Sequence, residues 1–412
     1  MARKKPIALF PNIDELRTID LCEYPSIRQF LNEAPDWQES HWLWAKGFLV
    51  YIGTNKSPHT FSRFRNEVER FLLWIFLYKE QRLDRLKKAD ILEYIDFCWQ
   101  PPLSWIALAS YDKFEWRDGV FHQNRQWAPF RLKQSKADKS VAPDKKLYRP
   151  SQETLTATFT ALIAFYKYLM NEEHCFGNPA QMAKKDCRYF IKDAQVKEVK
   201  RLTEQQWEYV LNVAVDLANQ EAKHERSLFI IASLKTLFLR ISELSERAGW
   251  SPQMSHFWQD TDENWWLKVY GKGKKIRDIS VPSDYLAFLQ RYRQSRGLSE
   301  LPSVNETTPI VEKIRGRGGM TARQLSRIVQ AVFDTAYDTM KQAEGEDKAR
   351  KLKEASTHWL RHTGASQEIE RGRELKDLSE DLGHASMATT DTIYVQTEHK
   401  KRAESGKQRK VH

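Results

Sequence analysis

The chain has 412 residues, 41% hydrophobic and 29% charged, with 14 Trp and 20 Phe. That composition excludes a disordered tail and allows two or three domains with sizeable cores. Its 66 Lys and Arg exceed 55 Asp and Glu, giving a net charge of +11, an excess that favours a polyanionic partner through phosphate contacts and counterion release. The longest apolar run, FLLWIFLY at 71–78, falls far short of the roughly 20 residues that span a bilayer. The apolar part of the N-terminus is broken by Pro11, too soon for a signal peptide, so a cytoplasmic protein with no membrane partner is expected. Cys22, Cys98, Cys175 and Cys187 show no CxxC spacing, which suggests neither a zinc site nor a disulfide framework.

In chain order, residues 1–40 mix Pro, charge and isolated apolar residues and read as an N-terminal arm that docks elsewhere. From His59, Phe61, Phe64, Val68, Phe71, Leu72 and Ile75 recur at helical spacing, and Lys87 to Cys98 supplies a second amphipathic helix. Residues 99–150 interrupt the pattern as a long insertion in which Trp99, Trp105, Trp116 and Trp127 are interleaved with polar stretches. Its basic part, RLKQSKADKSVAPDKKLYR, reads as a solvated loop in preference to a strip lying along DNA. A helix follows Pro150, with Ser151 as its cap and Leu155, Phe159, Leu162, Ile163, Tyr166 and Leu169 on its apolar face. The lysine-rich 180s and 190s read as a linker, after which Thr203 and Gln206 form a capping box. A helical domain over 41–198, a second domain over 199–396 and a basic tail over 397–412 are expected.

In the second domain, MSHFWQD, NWWLKVY and IRDISVP are short aromatic or β-branched runs separated by TDE and GKGKK. They predict a three-stranded antiparallel sheet. Helices resume at ARQLSRIVQAVFDTAY and around HWLRHTGASQEIER. The fold class is therefore mainly α with a small antiparallel β-sheet, an α+β arrangement.

Four short stretches carry groups with chemical potential. Arg240 sits among Leu237, Leu239, Ile241 and Leu244; an arginine there meets either a structural carboxylate such as Glu243 or an anion in a cleft. The GKGKK turn holds Lys272 at a strand tip, where it is a solvated lysine or a mobile acid. In STHWLRHTGAS, His358 and His362 share a helix face, but a zinc-protease pattern needs Glu where Trp359 stands. His358 and Arg361 also share a face and suit convergence on one phosphate. DLGHASMATTDTIYVQ adds His384 and Tyr394, each a packing residue unless the other groups employ it. Together these are the groups that metal-free phosphodiester transesterification needs. A phenol attacks a phosphodiester only where the non-bridging oxygens are neutralised and the departing 5′-hydroxyl receives a proton.

The ordered set LRISEL, GKGKK, HWLRH, LGH and a following IY resembles the catalytic domain of the tyrosine recombinase or phage integrase family over roughly residues 200–396. The helical segment before it is similar to that family's core-binding domain. The resemblance implies a site-specific recombinase in which Arg240 and Arg361 clamp the scissile phosphate, His358 assists as general acid or base, and Lys272 protonates the leaving 5′ oxygen. His384 hydrogen-bonds the phosphate, and Tyr394 attacks to give a 3′-phosphotyrosyl link. It also implies double-stranded DNA as partner, a homotetramer on paired sites, accessory DNA-bending or recombinase proteins, service to a mobile element at the nucleoid, and no cofactor, metal or ATP. The chain departs from the family pattern at Phe238, where Gly often stands, in the ten-residue spacing of His384 and Tyr394, and in the insertion at 99–150. A type IB topoisomerase uses nearly the same groups to nick and reseal; a non-catalytic DNA-binding regulator on this fold has no need of Tyr394.

Overall fold

A computed structural model describes residues 5–133, 142–191, 200–271, 275–313, 315–384 and 406–407. The chain divides into two compact units, Met1–Ala194 and Gln195–His412.

The first unit is built on four long helices, Asp36–Asn55, Pro58–Trp74, Lys88–Trp99 and Gln152–Asn171. Local chemistry sets their starts: Ser57 Oγ accepts from the Thr60 N–H and Ser151 Oγ from the Thr154 N–H, each at 3.2 Å, which satisfies a donor that the first turn leaves free. Val68, Phe71, Leu72, Phe159, Leu162 and Phe165 are fully buried between them. Residues 1–40 are not a detached arm. Leu9, Phe10, Leu16, Tyr24 and Ile27 are buried in the same core, and the Leu9 and Phe10 N–H groups donate to Glu69 Oε1 at 2.8 and 3.1 Å. The insertion is likewise more than loop: Phe114–Arg117 pairs antiparallel with Val120–Gln123, and Ile106–Ala107 pairs with Phe130–Arg131. The insertion is tied to helix Pro58–Trp74 by the buried Lys113–Glu69 ion pair and by Arg70, itself paired with Glu67 on the same helix, which donates to the Pro129 carbonyl oxygen at 3.2 Å. Residues 134–141 of the basic stretch lie outside the described residues.

In the second unit the capping box forms as expected: Gln206 N–H donates to Thr203 Oγ1 at 3.2 Å and Thr203 N–H to Gln206 Oε1 at 3.1 Å. It opens the helix Glu204–Gln220, followed by Glu225–Thr236 and the single turn Ile241–Leu244. Strands Phe257–Gln259, Trp265–Tyr270 and Ile276–Ser280 form the antiparallel sheet, with Leu267 opposite Ile279. Leu267, Val269 and Ile279 point into the core as the two-residue period requires. Helices Ser283–Ser295, Ala322–Glu344, Glu346–Glu354, Thr357–Glu370 and Leu375–Leu382 complete the unit. Helix Thr357–Glu370 lies so close to Glu225–Thr236 that a Cβ on Gly364 would sit 2.0 Å from the Lys235 carbonyl oxygen. A small apolar cluster of Phe238, Ala365, Ile369, Leu378 and Leu382 fastens the last described helix. No described helix is long and apolar enough to cross a membrane.

Candidate active site

Arg240 begins the turn Ile241–Leu244, and that turn folds its own side chain onto Glu243. The Arg240 N–H donates to Glu243 Oε2 at 2.8 Å and Nη1 to Oε1 at 3.0 Å. Glu243 is fully buried, and Arg277, from the strand Ile276–Ser280, adds a bidentate pair at 2.7 and 3.1 Å. Burial alone would raise the carboxyl; the Arg277 and Arg240 donors more than offset it and hold Glu243 below its ordinary range. Four short bonds occupy the two oxygens, so the carboxylate is saturated.

Arg361, from helix Thr357–Glu370, approaches the same carboxylate but stays at 3.9 Å. Its guanidinium donates instead to two main-chain oxygens, Nη1 to Phe238 and Nη2 to Leu382, and Nη2 lies 3.4 Å from His384 Nε2. Arg361 is buried, and burial together with the Arg240 and Arg277 charges pulls its pKa down to about 9. Three guanidiniums thus surround one carboxylate, leaving a surplus of two positive charges. His384 follows the helix Leu375–Leu382 through Gly383 in left-handed conformation, and its pKa falls to about 4 through burial and the Arg361 and Arg240 charges. His358 sits on the exposed edge of its helix, 4.3 Å ring to ring from His362. Desolvation and the same two guanidiniums lower it as well. Both imidazoles are neutral at pH 7.

Of the residues singled out from sequence, Arg240, His358, Arg361 and His384 are brought to one place. Lys272 and Tyr394 lie outside the described residues, so the ten-residue spacing to Tyr394 has no structural counterpart here. Phe238 has φ +49°, a left-handed backbone that glycine adopts without strain; its ring is compensated by the apolar cluster, and its carbonyl holds Arg361. Sequence reasoning missed Arg277 and Asp381. Asp381 accepts from Ser280 N at 3.1 Å, from Ser280 Oγ at 2.7 Å and from Arg373. Both lie in stretches read for other residues, Arg277 in IRDISVP and Asp381 at the head of DLGHASMATTDTIYVQ; for Arg277 the alternation of the strand Ile276–Ser280, which buries Ile279 and turns Arg277 the same way, was the available signal.

A mainly helical unit that gathers three guanidiniums and two neutral imidazoles around one saturated carboxylate is of the class that holds and acts on a phosphodiester. The chain belongs to the phage integrase family of tyrosine recombinases. The phage integrase family model matches residues 200–401. Tyrosine recombinase XerC of Thermodesulfovibrio yellowstonii is 30% identical over 247 residues, covering 58% of this chain and 70% of that protein. XerC of Bacillus subtilis is 25% identical over 240 residues, 58% of this chain and 69% of the relative. Two solved structures share the fold. The XerH site-specific recombinase bound to its difH substrate has a TM-score of 0.51 at 14% identity, covering 86% of this chain and 92% of its own. The Tn1549 transposon integrase in complex with transposon right end DNA has a TM-score of 0.50 at 17% identity, covering 89% and 98%.

Proposed function

We propose that this chain is a site-specific DNA recombinase that cuts and rejoins duplex DNA through a 3′-phosphotyrosyl intermediate, serving a mobile element at the nucleoid. The observation that carries the reading is the surplus of positive charge around Glu243, which an incoming phosphodiester would neutralise. Arg240 and Arg361 clamp the non-bridging oxygens, and His384 donates an N–H to one of them. The Tyr394 oxygen bonds to phosphorus as its proton passes to His358, whose lowered pKa keeps the imidazole free to accept it. The P–O5′ bond breaks, and Lys272 supplies the proton that the 5′ oxygen takes up. Attack by a 5′-hydroxyl reverses the sequence, so the energy of the broken ester stays in the phosphotyrosyl link and neither ATP nor metal is required. Exchange of both strands between two duplexes takes four cuts, one tyrosine each; we therefore assign a homotetramer on paired sites, helped by accessory DNA-bending or recombinase proteins.

The test is covalent trapping. Nicked duplexes drawn from DNA flanking the gene are incubated with the protein and with Tyr394→Phe, in chelator and without ATP, and resolved in SDS. An adduct that vanishes in the variant is the expected result. Tight binding with no adduct from either protein would overturn the catalytic reading in favour of a regulator, and an adduct that relaxes supercoils without exchanging strands would favour a topoisomerase.

A further inference from the structure

Arg277 makes three bonds at the site. Its Nη1 and Nη2 grip both oxygens of Glu243 at 2.7 and 3.1 Å, and its Nε donates to the Asp381 carbonyl oxygen at 2.9 Å. Those partners belong to separate parts of the chain. Glu243 fixes Arg240 and stands 3.9 Å from Arg361; Asp381 is in the last turn before Gly383 and His384. Arg277 itself pairs with Val269 in the sheet, two residues beyond Lys275, whose carbonyl accepts from the Gly271 N–H. The fit tolerates no extra atom: a Cβ on Gly383 would lie 2.9 Å from Arg277 Cδ and Nε, and one on Gly271 would lie 3.1 Å from Nη1.

We infer that Arg277 is a positioning residue of the strand-transfer reaction: one guanidinium locks the strand Ile276–Ser280, the carboxylate that aims Arg240, and the helix end that delivers His384 into a single rigid frame. The inference rests on the recombinase reading. Its physical basis is the fixed fork geometry of guanidinium, which lysine cannot reproduce. A displacement of about 1 Å in any of the three groups costs a transesterification on the order of a hundredfold in rate, while affinity for the duplex backbone, spread over many contacts, is little affected.

The experiment compares wild type, Arg277→Lys and Arg277→Ala on the nicked duplexes above. Single-turnover adduct formation and duplex affinity are measured separately, with a thermal melt of each protein. For Arg277→Lys, which keeps the charge, the cleavage rate should fall about a hundredfold, with affinity within about threefold and the melt retained. Cleavage at the wild-type rate, or a loss matched by equal losses of affinity and of folding, would overturn the inference. A second readout needs no DNA. In the free proteins, the His384 ring resonance should titrate at higher pH in Arg277→Ala, because Arg277 is one of the charges that depress it; an unchanged titration would count against the frame. If wild type itself forms no adduct, the recombinase reading fails, while the His384 resonance of Arg277→Lys, which keeps the charge, still tests the frame: a titration different from wild type is expected, and an identical one overturns it.

Discussion

Replacing Glu243 by Gln tests the electrostatic account of the site most directly. The carboxylate takes four short bonds, at 2.8, 3.0, 2.7 and 3.1 Å, from Arg240 and Arg277, with Arg361 behind them at 3.9 Å. Glutamine keeps one acceptor oxygen and turns an NH2 toward guanidinium donors, so half of these bonds become donor against donor. Breaking a buried pair in this way costs about 3–5 kcal/mol. For a unit of this size each kcal/mol moves the unfolding midpoint by about 2–4 °C, so a drop of about 6–20 °C in a circular-dichroism melt at pH 7 is expected. The sign with pH follows from linkage. Glu243 is held below its ordinary value of 4.5, so its contribution is present above that value and is lost as pH falls through the folded pKa. Wild-type and variant melts should therefore converge in acid. A shift under about 2 °C at neutral pH would refute the claim that the carboxylate holds the guanidiniums together.

Acid should weaken the protein for a second reason. His41 is fully buried, neither ring nitrogen has a hydrogen-bond partner, and burial draws its pKa to about 4 despite Asp84 at 3.8 Å; His362 and His384 fall to about 4 as well. The unfolded chain then binds more protons between pH 4 and the ordinary 6.5, so urea midpoints should rise across that window and level off above it, with His41→Phe flattening the slope for the first unit. Gly364→Ala should abolish a well-packed second unit, because its Cβ would meet the Lys235 carbonyl at 2.0 Å; a melt like wild type would show that the two helices can part freely. Phe238→Gly relieves about 1–2 kcal/mol of left-handed strain but removes a buried ring worth about 3–5 kcal/mol, so a net loss near 2 kcal/mol should appear in urea titration. Sulfate at millimolar levels should raise the melting temperature of wild type and do so less in Arg240→Ala; equal shifts would place the anion elsewhere.

The sequence made the local features legible and left the tertiary ones hidden. Ser151 and the Thr203–Gln206 box follow from rules that act within four residues, and they appear as expected. The three strands followed from β-branched and aromatic runs between turns. Residues 5–40 pack on their own unit partly by a spacing the sequence shows, with Ile27 and Leu31 on the buried side of helix Pro25–Asn32, and partly because a distant carboxylate, Glu69, accepts the Leu9 and Phe10 N–H groups, which no local pattern shows. The pair Ile106–Ala107 with Phe130–Arg131 is too short to carry a pattern, whereas Phe114–Arg117 and Val120–Gln123 flank Asp118-Gly119, a hairpin signal that the reading of the insertion passed over. Phe238 stands where the family often has Gly, and its positive φ shows a backbone requirement met by a costly residue, with the ring buried in compensation. Arg277 was passed over because a charged residue in a strand ordinarily faces water; the alternation that sets it on the side of Ile279 does not tell that Glu243 and the Asp381 carbonyl wait there.

The arrangement of charge explains why one carboxylate serves three arginines. A site with an acid for every base would be more stable and would have little use for an anion. Here Glu243 is saturated by Arg240 and Arg277, and Arg361 is left with main-chain oxygens, which accept its hydrogen bonds without cancelling its charge. Its pKa of about 9 reflects burial first and the neighbouring Arg240 and Arg277 charges second, yet it remains about two units above neutrality and so stays cationic. Because the folded value lies below the ordinary 12.5, the penalty is present throughout the physiological range and does not vary with pH there. An incoming negative charge would offset it. The fold thus keeps donors aimed at a place where charge will arrive, and needs no rearrangement when it does.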